Sequence, residues 1–172
     1  MFTEKVDVTG SYNVLCLDST GATKWEDTIK NLVVTVGKND LLDKYFAGSA
    51  YTAAWYMGLV DNASFTAYAV GDTLVSHTGW LENLGYTFSG SASNRATVAW
   101  GAASAGSKVS SAATFNITAS STILGAMMCN AQARNTASNG GSGVLYSAGS
   151  FTGGSRVVIS GDSLLITYTA SV

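Results

Sequence analysis

Apolar residues in this chain come in short runs set off by turn residues. Tyr12-Asn13-Val14-Leu15-Cys16-Leu17 is an extended-type run closed by the turn signal Asp18-Ser19-Thr20-Gly21. Leu32-Val33-Val34-Thr35-Val36 is rich in β-branched residues and predicts a strand over 32–36. The period then changes. Leu41, Leu42, Tyr45 and Phe46 fall at i, i+1, i+4 and i+5, one face of a helix. Asp40 near the start and Lys44 near the end suit the helix dipole, and Gly48 suits the C′ position. A short helix is therefore expected near residues 38–47.

From residue 51 onward strand signals dominate. The near-continuous apolar run Ala54-Trp55-Tyr56-Met57-Gly58-Leu59-Val60 predicts a central strand covered on both faces. Phe65 and Ala67 alternate with Thr66 and Tyr68, while residues 76–90 form a longer excursion with aromatics and no clean period. Further strands are expected over 96–100, 113–118, 122–128 and 144–148, with a flexible loop at 138–143. Residues 156–159 and 164–169 flank Ser160-Gly161-Asp162-Ser163 and predict a hairpin with Gly161 at positive φ. Gly71-Asp72-Thr73-Leu74 echoes Gly161-Asp162-Ser163-Leu164, too briefly to be a repeat. Eight or more short strands separated by turns place the chain in the all-β class. The expected architecture is a β-sandwich, jelly-roll-like, with that one short helix.

The 172 residues suit one domain spanning 1–172. Within it residues 1–30 read as an extended N-terminal arm, able to reach a neighbour by strand addition. On that reading, deleting residues 2–12 would detach the protein from its partner and leave the body folded. The chain has no proline, so its strand edges lack that protection against pairing with other chains.

Composition narrows the function. Only 12% of residues are charged, about half the usual ~25%. Such a surface costs little to desolvate and suits protein contacts. A net charge of −2 with scattered lysines and arginines offers no grip on nucleic acid. No apolar run is long enough to span a bilayer, so no membrane partner is expected. Met1-Phe2-Thr3-Glu4-Lys5 does not read as a signal peptide, which points to folding in a reducing cytoplasm. There Cys16 and Cys129 read as buried thiols, with a disulfide between them as the alternative.

Candidate chemistry is sparse. The one histidine, His77, sits beside Ser76 and near Glu82, too close in sequence to converge as triad members from separate elements do. It reads as a loop histidine bonded to backbone. Asp61, Asp72 and Asp162 lie in turn sequences, where Asp caps its own backbone, rather than as paired acids across a cleft. No zinc, calcium or P-loop pattern occurs, so no enzyme, metal or cofactor is expected. The aromatics carry more. Trp55 and Trp100 lie in apolar runs and suit the core. Trp25 and Trp80 lie among polar residues and suit either an interface, a sugar platform or the core. With Tyr12 of the arm and Tyr86 of the excursion, they are the candidate partner-interface residues.

Four stretches resemble a widespread group of tailed-bacteriophage virion proteins. They are Val34-Thr35-Val36-Gly37-Lys38-Asn39-Asp40-Leu41-Leu42-Asp43-Lys44-Tyr45-Phe46, Thr52-Ala53-Ala54-Trp55-Tyr56-Met57-Gly58-Leu59-Val60, Phe65-Thr66-Ala67-Tyr68-Ala69-Val70-Gly71-Asp72-Thr73 and Gly161-Asp162-Ser163-Leu164-Leu165-Ile166-Thr167-Tyr168-Thr169. The four stretches, 40 of the 172 residues, stand in the right order, and the resemblance carries no catalytic residues. It implies a capsid decoration or cement protein with a jelly-roll-like body. The implied partners are the major capsid protein and copies of itself, as a dimer or trimer, with a monomer also open. The implied location is the capsid surface of the virion, after synthesis in the host cytoplasm. A tail or fibre component that binds saccharide through loops 76–90 and 136–143 is the alternative.

Overall fold

The computed structural model describes residues 7–46, 54–134 and 142–172. Among them the chain forms β1 (Thr9–Leu17), β2 (Thr23–Lys30), β3 (Leu32–Val33), α1 (Thr35–Phe46), β4 (Tyr56–Asp61), β5 (Glu82–Asn83), β6 (Tyr86–Thr87) and β7 (Ala96–Thr97). There follow β8 (Ser107–Val109), β9 (Ala113–Ile117), β10 (Ser121–Cys129), β11 (Leu145–Ser150), β12 (Arg156–Val158) and β13 (Ser163–Ser171). Two antiparallel sheets pack face to face in an all-β sandwich. The first runs β2-β1-β13-β9-β6, with β8 also on β13. The second runs β3-β11-β10-β4-β5, with β12 on β10 and β7 on β4.

The two sheets bury their strands differently, and the sequence explains why. In the first sheet, β1, β9 and β13 alternate buried and more exposed positions, because only one face meets the core. Tyr12, Val14, Cys16, Phe115, Leu164, Ile166 and Tyr168 point inward, against Met57, Leu59, Ile123 and Met128 of the second sheet. In the second sheet, β4, β10 and β11 are buried almost end to end. Val60, Leu124, Met127, Cys129 and Leu145 on its outer face form a second core with Val34, Leu74 and Trp80. The unbroken apolar run at 54–60 is thus a strand covered on both faces, as expected.

Several expectations are corrected. The N-terminal arm is not free beyond residue 8. β1 lies inside the first sheet, paired with β2 on one side and along its whole length with β13 on the other, from Thr9↔Ser171 to Leu17↔Ser163. Strand addition happens within the chain. Residues 1–6 of the expected arm lie outside the described residues. The helix begins at Thr35, earlier than expected, so Thr35 and Val36 leave the predicted strand. Val34 N donates to Tyr146 O and Lys38 N to Val34 O, which ends the strand and starts the first helical turn. Gly48 and most of the 138–143 loop fall outside the described residues.

The stretch around Phe65 and Tyr68 is no strand. Both rings pack on the second core as part of its cover. The 160–163 turn is real, with Gly161 at φ 100°, but its flanking strands do not form a hairpin. β12 joins the second sheet and β13 the first, so the turn carries the chain between layers. The short echo has a structural counterpart. Asp72 N bonds Ala69 O while Ala69 N bonds Asp72 Oδ2, and Asp162 makes the same reciprocal pair with Ile159.

Tyr12 ties the layers together. Its ring lies 4.6 Å from that of Tyr168, and its hydroxyl shares a 2.9 Å hydrogen bond with Ser147 Oγ of the opposite sheet. Tyr12→Phe should cost about 1 kcal/mol and Tyr12→Ala about 3–5 kcal/mol in urea unfolding. Deleting residues 2–12 should abolish the cooperative transition instead of leaving a folded body, because it strips four of the β1 positions paired with β13.

Candidate functional site

Three of the four expected interface residues are not at the surface. Tyr12 and Tyr86 are fully buried, and Trp80 is 1% exposed. Tyr86 sits edge-on to Phe115 in the inter-sheet core, with the Arg134 guanidinium 4.0 Å over its ring. Trp80 fills the second core, where its Nε1 donates to Asp72 Oδ2 at 3.0 Å. The polar neighbours that made Trp80 look like a surface residue turn inward with it. Trp25, on the edge strand β2, is half-buried against Phe151 and Arg156. It alone of the four keeps an accessible face.

The polar residues of the excursion are spent on structure. His77 is 3% exposed, stacks on Trp80 at 3.9 Å, and its Nδ1 lies 3.1 Å from Trp80 O. Burial holds its pKa below the ordinary value, against the opposing pull of that carbonyl and of Asp72. Arg95 and Glu82 form a buried two-point ion pair at 3.0 and 2.8 Å. Arg95 also donates to the Ala131 and Ala133 carbonyls, so it clamps two loops onto β5. Asp61, Asp72 and Asp162 each accept a backbone N–H of their own turn. Among the described residues no three of His, Cys, Asp and Glu converge as metal ligands. No helix among them is long and apolar enough to cross a membrane.

What the fold does build is a groove at one end of the sandwich, between α1 and the open edge of the two sheets. It has a volume of about 390 Å³, and its walls are Trp55, Trp100, Tyr146 and Met128, with Leu41 and Tyr45 of α1. Asp40, Lys44 and Lys108 line it too, and Lys44 is paired with Asp40 at 3.7 Å. The floor is rigid because its rings continue the core. Trp55 meets Tyr146 at 5.4 Å, Trp100 meets Tyr168 at 6.0 Å, and Tyr168 meets Tyr12. Trp55 and Trp100 therefore serve both the core, as expected, and the groove wall. A larger depression of about 610 Å³ lies on the outer face of the first sheet, lined by Asn13, Thr28, Thr152 and Thr167 among others. It lacks aromatic walls.

α1 meets the body through its one buried position, Gly37. A Cβ there would lie 2.6 Å from Tyr146 O, so the helix backbone rests directly on β11. That contact turns the apolar side outward. Leu42 is 49% exposed, Tyr45 80% and Phe46 77%. This end offers an aromatic groove beside the exposed side chains of Leu42, Tyr45 and Phe46, an apolar patch open to contact. No model of a known protein family matches the chain, and no curated protein matches it.

Both thiols are free and buried, and burial raises each to a pKa of about 11. Ionisation alone should make them about a hundredfold slower than an open thiol toward iodoacetamide at pH 8. Mass spectrometry should show both unlabelled in native protein and both labelled after unfolding in urea.

His77 predicts a pH dependence. Its folded pKa lies below its unfolded one, so the unfolded chain takes up the proton first as pH falls through ~6.5. Stability should therefore decline from pH 7.5 toward 5.5, by at most about 1.4 kcal/mol per pH unit from this group, and level off once folded His77 protonates. Urea unfolding across that range should show a flatter profile in His77→Gln than in the native protein.

Proposed function

We propose that this chain is a structural protein of a phage particle, a capsid decoration or cement protein. It binds the outside of the head, bridges major capsid subunits and stabilises the shell by adhesion, without catalysis. The observation that carries this reading is the end of the sandwich where the aromatic groove and the uncovered face of α1 lie together. A surface walled by aromatic and aliphatic side chains is cheap to desolvate there and suits a protein partner. The four sequence stretches that resemble virion proteins support it as well, and two of them supply α1 and Trp55. Attachment through several modest contacts gains from effective concentration, so no single patch has to be large.

A tail or fibre component binding saccharide is the second reading. Two tryptophans in an open groove favour it, since sugar rings stack on such faces. It no longer draws on Trp80 or Tyr86, which are buried.

Co-sedimentation with purified heads lacking the protein tests the leading proposal. The native chain should saturate the heads in a fixed copy number per capsid. Leu41→Asp with Lys108→Glu, both in the groove wall, should lower the affinity at least ~10-fold while the circular dichroism spectrum stays native. Failure to bind heads, combined with saturable binding on a glycan array that the same pair of substitutions removes, would transfer the assignment to the saccharide module.

A further inference from the structure

Lys108 stands apart from the other charged residues of the groove. Lys44 is paired with Asp40 at 3.7 Å, while Lys108 makes no ion pair with a described residue. The wall thus carries two lysines against one aspartate, in a chain whose net charge is −2. Lys108 is half-buried on β8, which is fixed to β13 at Lys108↔Ala170. It also stands where two hollows meet. Leu41, Lys108, Tyr146 and Ala170 line both the groove and a second depression of about 220 Å³, which runs on to Ser107 and Val172. The two hollows form one track, with aromatic walls at one end and an unpaired ammonium at the junction.

We propose that this track holds an extended segment of a protein partner, with an aromatic or aliphatic side chain against Trp55 and Trp100 and a neighbouring carboxylate on Lys108. The inference rests on the reading of the groove as a protein-binding site and names the chemistry that site selects. The apolar walls reward taking an apolar side chain out of water. Lys108 then decides what lies beside it. An ammonium covered by an apolar partner loses its water without return, whereas a carboxylate replaces that water with a charge-assisted hydrogen bond. An acidic neighbour is therefore preferred over its neutral isostere, and a basic one is rejected.

A saccharide fits the same track less well. Its ring can stack on the tryptophans, but each hydroxyl it buries needs a partner. The one carboxylate on the groove wall, Asp40, is already engaged with Lys44, and most of the remaining wall is hydrocarbon. An extended peptide brings apolar and acidic groups side by side, which matches an apolar hollow that opens onto a lone ammonium.

Two blocked peptides, acetyl-Phe-Glu-Gly-amide and acetyl-Phe-Gln-Gly-amide, test this on the isolated full chain by tryptophan fluorescence, to which neither peptide contributes. The acidic peptide should bind with a Kd of about 1 mM, as suits so small a ligand, and the glutamine peptide about fivefold more weakly. Added salt should narrow that difference. Lys108→Gln should erase the preference, and Lys108→Glu should turn it toward acetyl-Phe-Lys-Gly-amide. Lys38→Gln, exposed on α1 outside the groove, should change nothing. Equal binding of the two peptides, no binding of either at about 10 mM, or saturable binding of glucuronic acid in their place would overturn the proposal. Head binding reports separately on the capsid reading. Heads bound normally by the native chain, with the two peptides bound equally, would remove this inference alone; a kept peptide preference without head binding would support it and remove the capsid assignment.

Discussion

The pairing of the first long strand with the last is the constraint on which the rest depends. β1 and β13 run side by side over the whole of both strands, at the centre of the first sheet. The chain cannot complete that sheet until its two ends have met. Everything between them, the second sheet included, is then held as a closed loop whose entropy has already been spent. Tyr12 and Tyr168, facing each other on this pair, extend the same contact across the layers through Ser147 and Asn31. Contacts so distant in sequence make for slow folding, and they make β1 part of the body rather than an appendage.

The second constraint is that the second sheet is covered on both faces. Its outer cover is irregular chain, and irregular chain needs polar anchors where it is buried. Asp72, His77, Glu82 and Arg95 serve there. Asp72 and His77 hold Trp80 in place, and Arg95 and Glu82 pin the loops around β5. A buried pair of that kind contributes little net stability, yet removing either partner strands a charge in the interior. The few titratable residues of the excursion are occupied in holding it to the sheet.

Beside these engaged groups, the groove and the outer side of α1 present apolar side chains. Gly37 lets α1 approach β11 at backbone distance, and that contact decides which side of the helix meets the body. The aromatic residues displaced outward stand beside a groove whose rings are continuous with the core. A rigid, ring-lined surface loses little entropy on binding, which favours adhesion through modest areas.

The class of fold was legible in the chain itself. Short runs of β-branched and aromatic residues at turn-marked intervals favour packed sheets, and the unbroken run at 54–60 suits a strand with cover on both faces. The turn roles of Asp61, Asp72 and Asp162 were readable for the same reason: they are made within a few residues. Which surface is functional was not readable. The groove draws Trp55, Trp100, Lys108 and Tyr146 from distant points of the chain, and no local pattern marks them as neighbours. Trp80 and Tyr86 looked like surface aromatics because their flanking residues are polar, and only the packing of the excursion turned both inward. Helical periodicity put Leu42 and Phe46 on one face without saying whether that face meets the body. Local sequence determines which residues share a side of an element; which side is buried is decided by long-range contact, here by Gly37 against Tyr146.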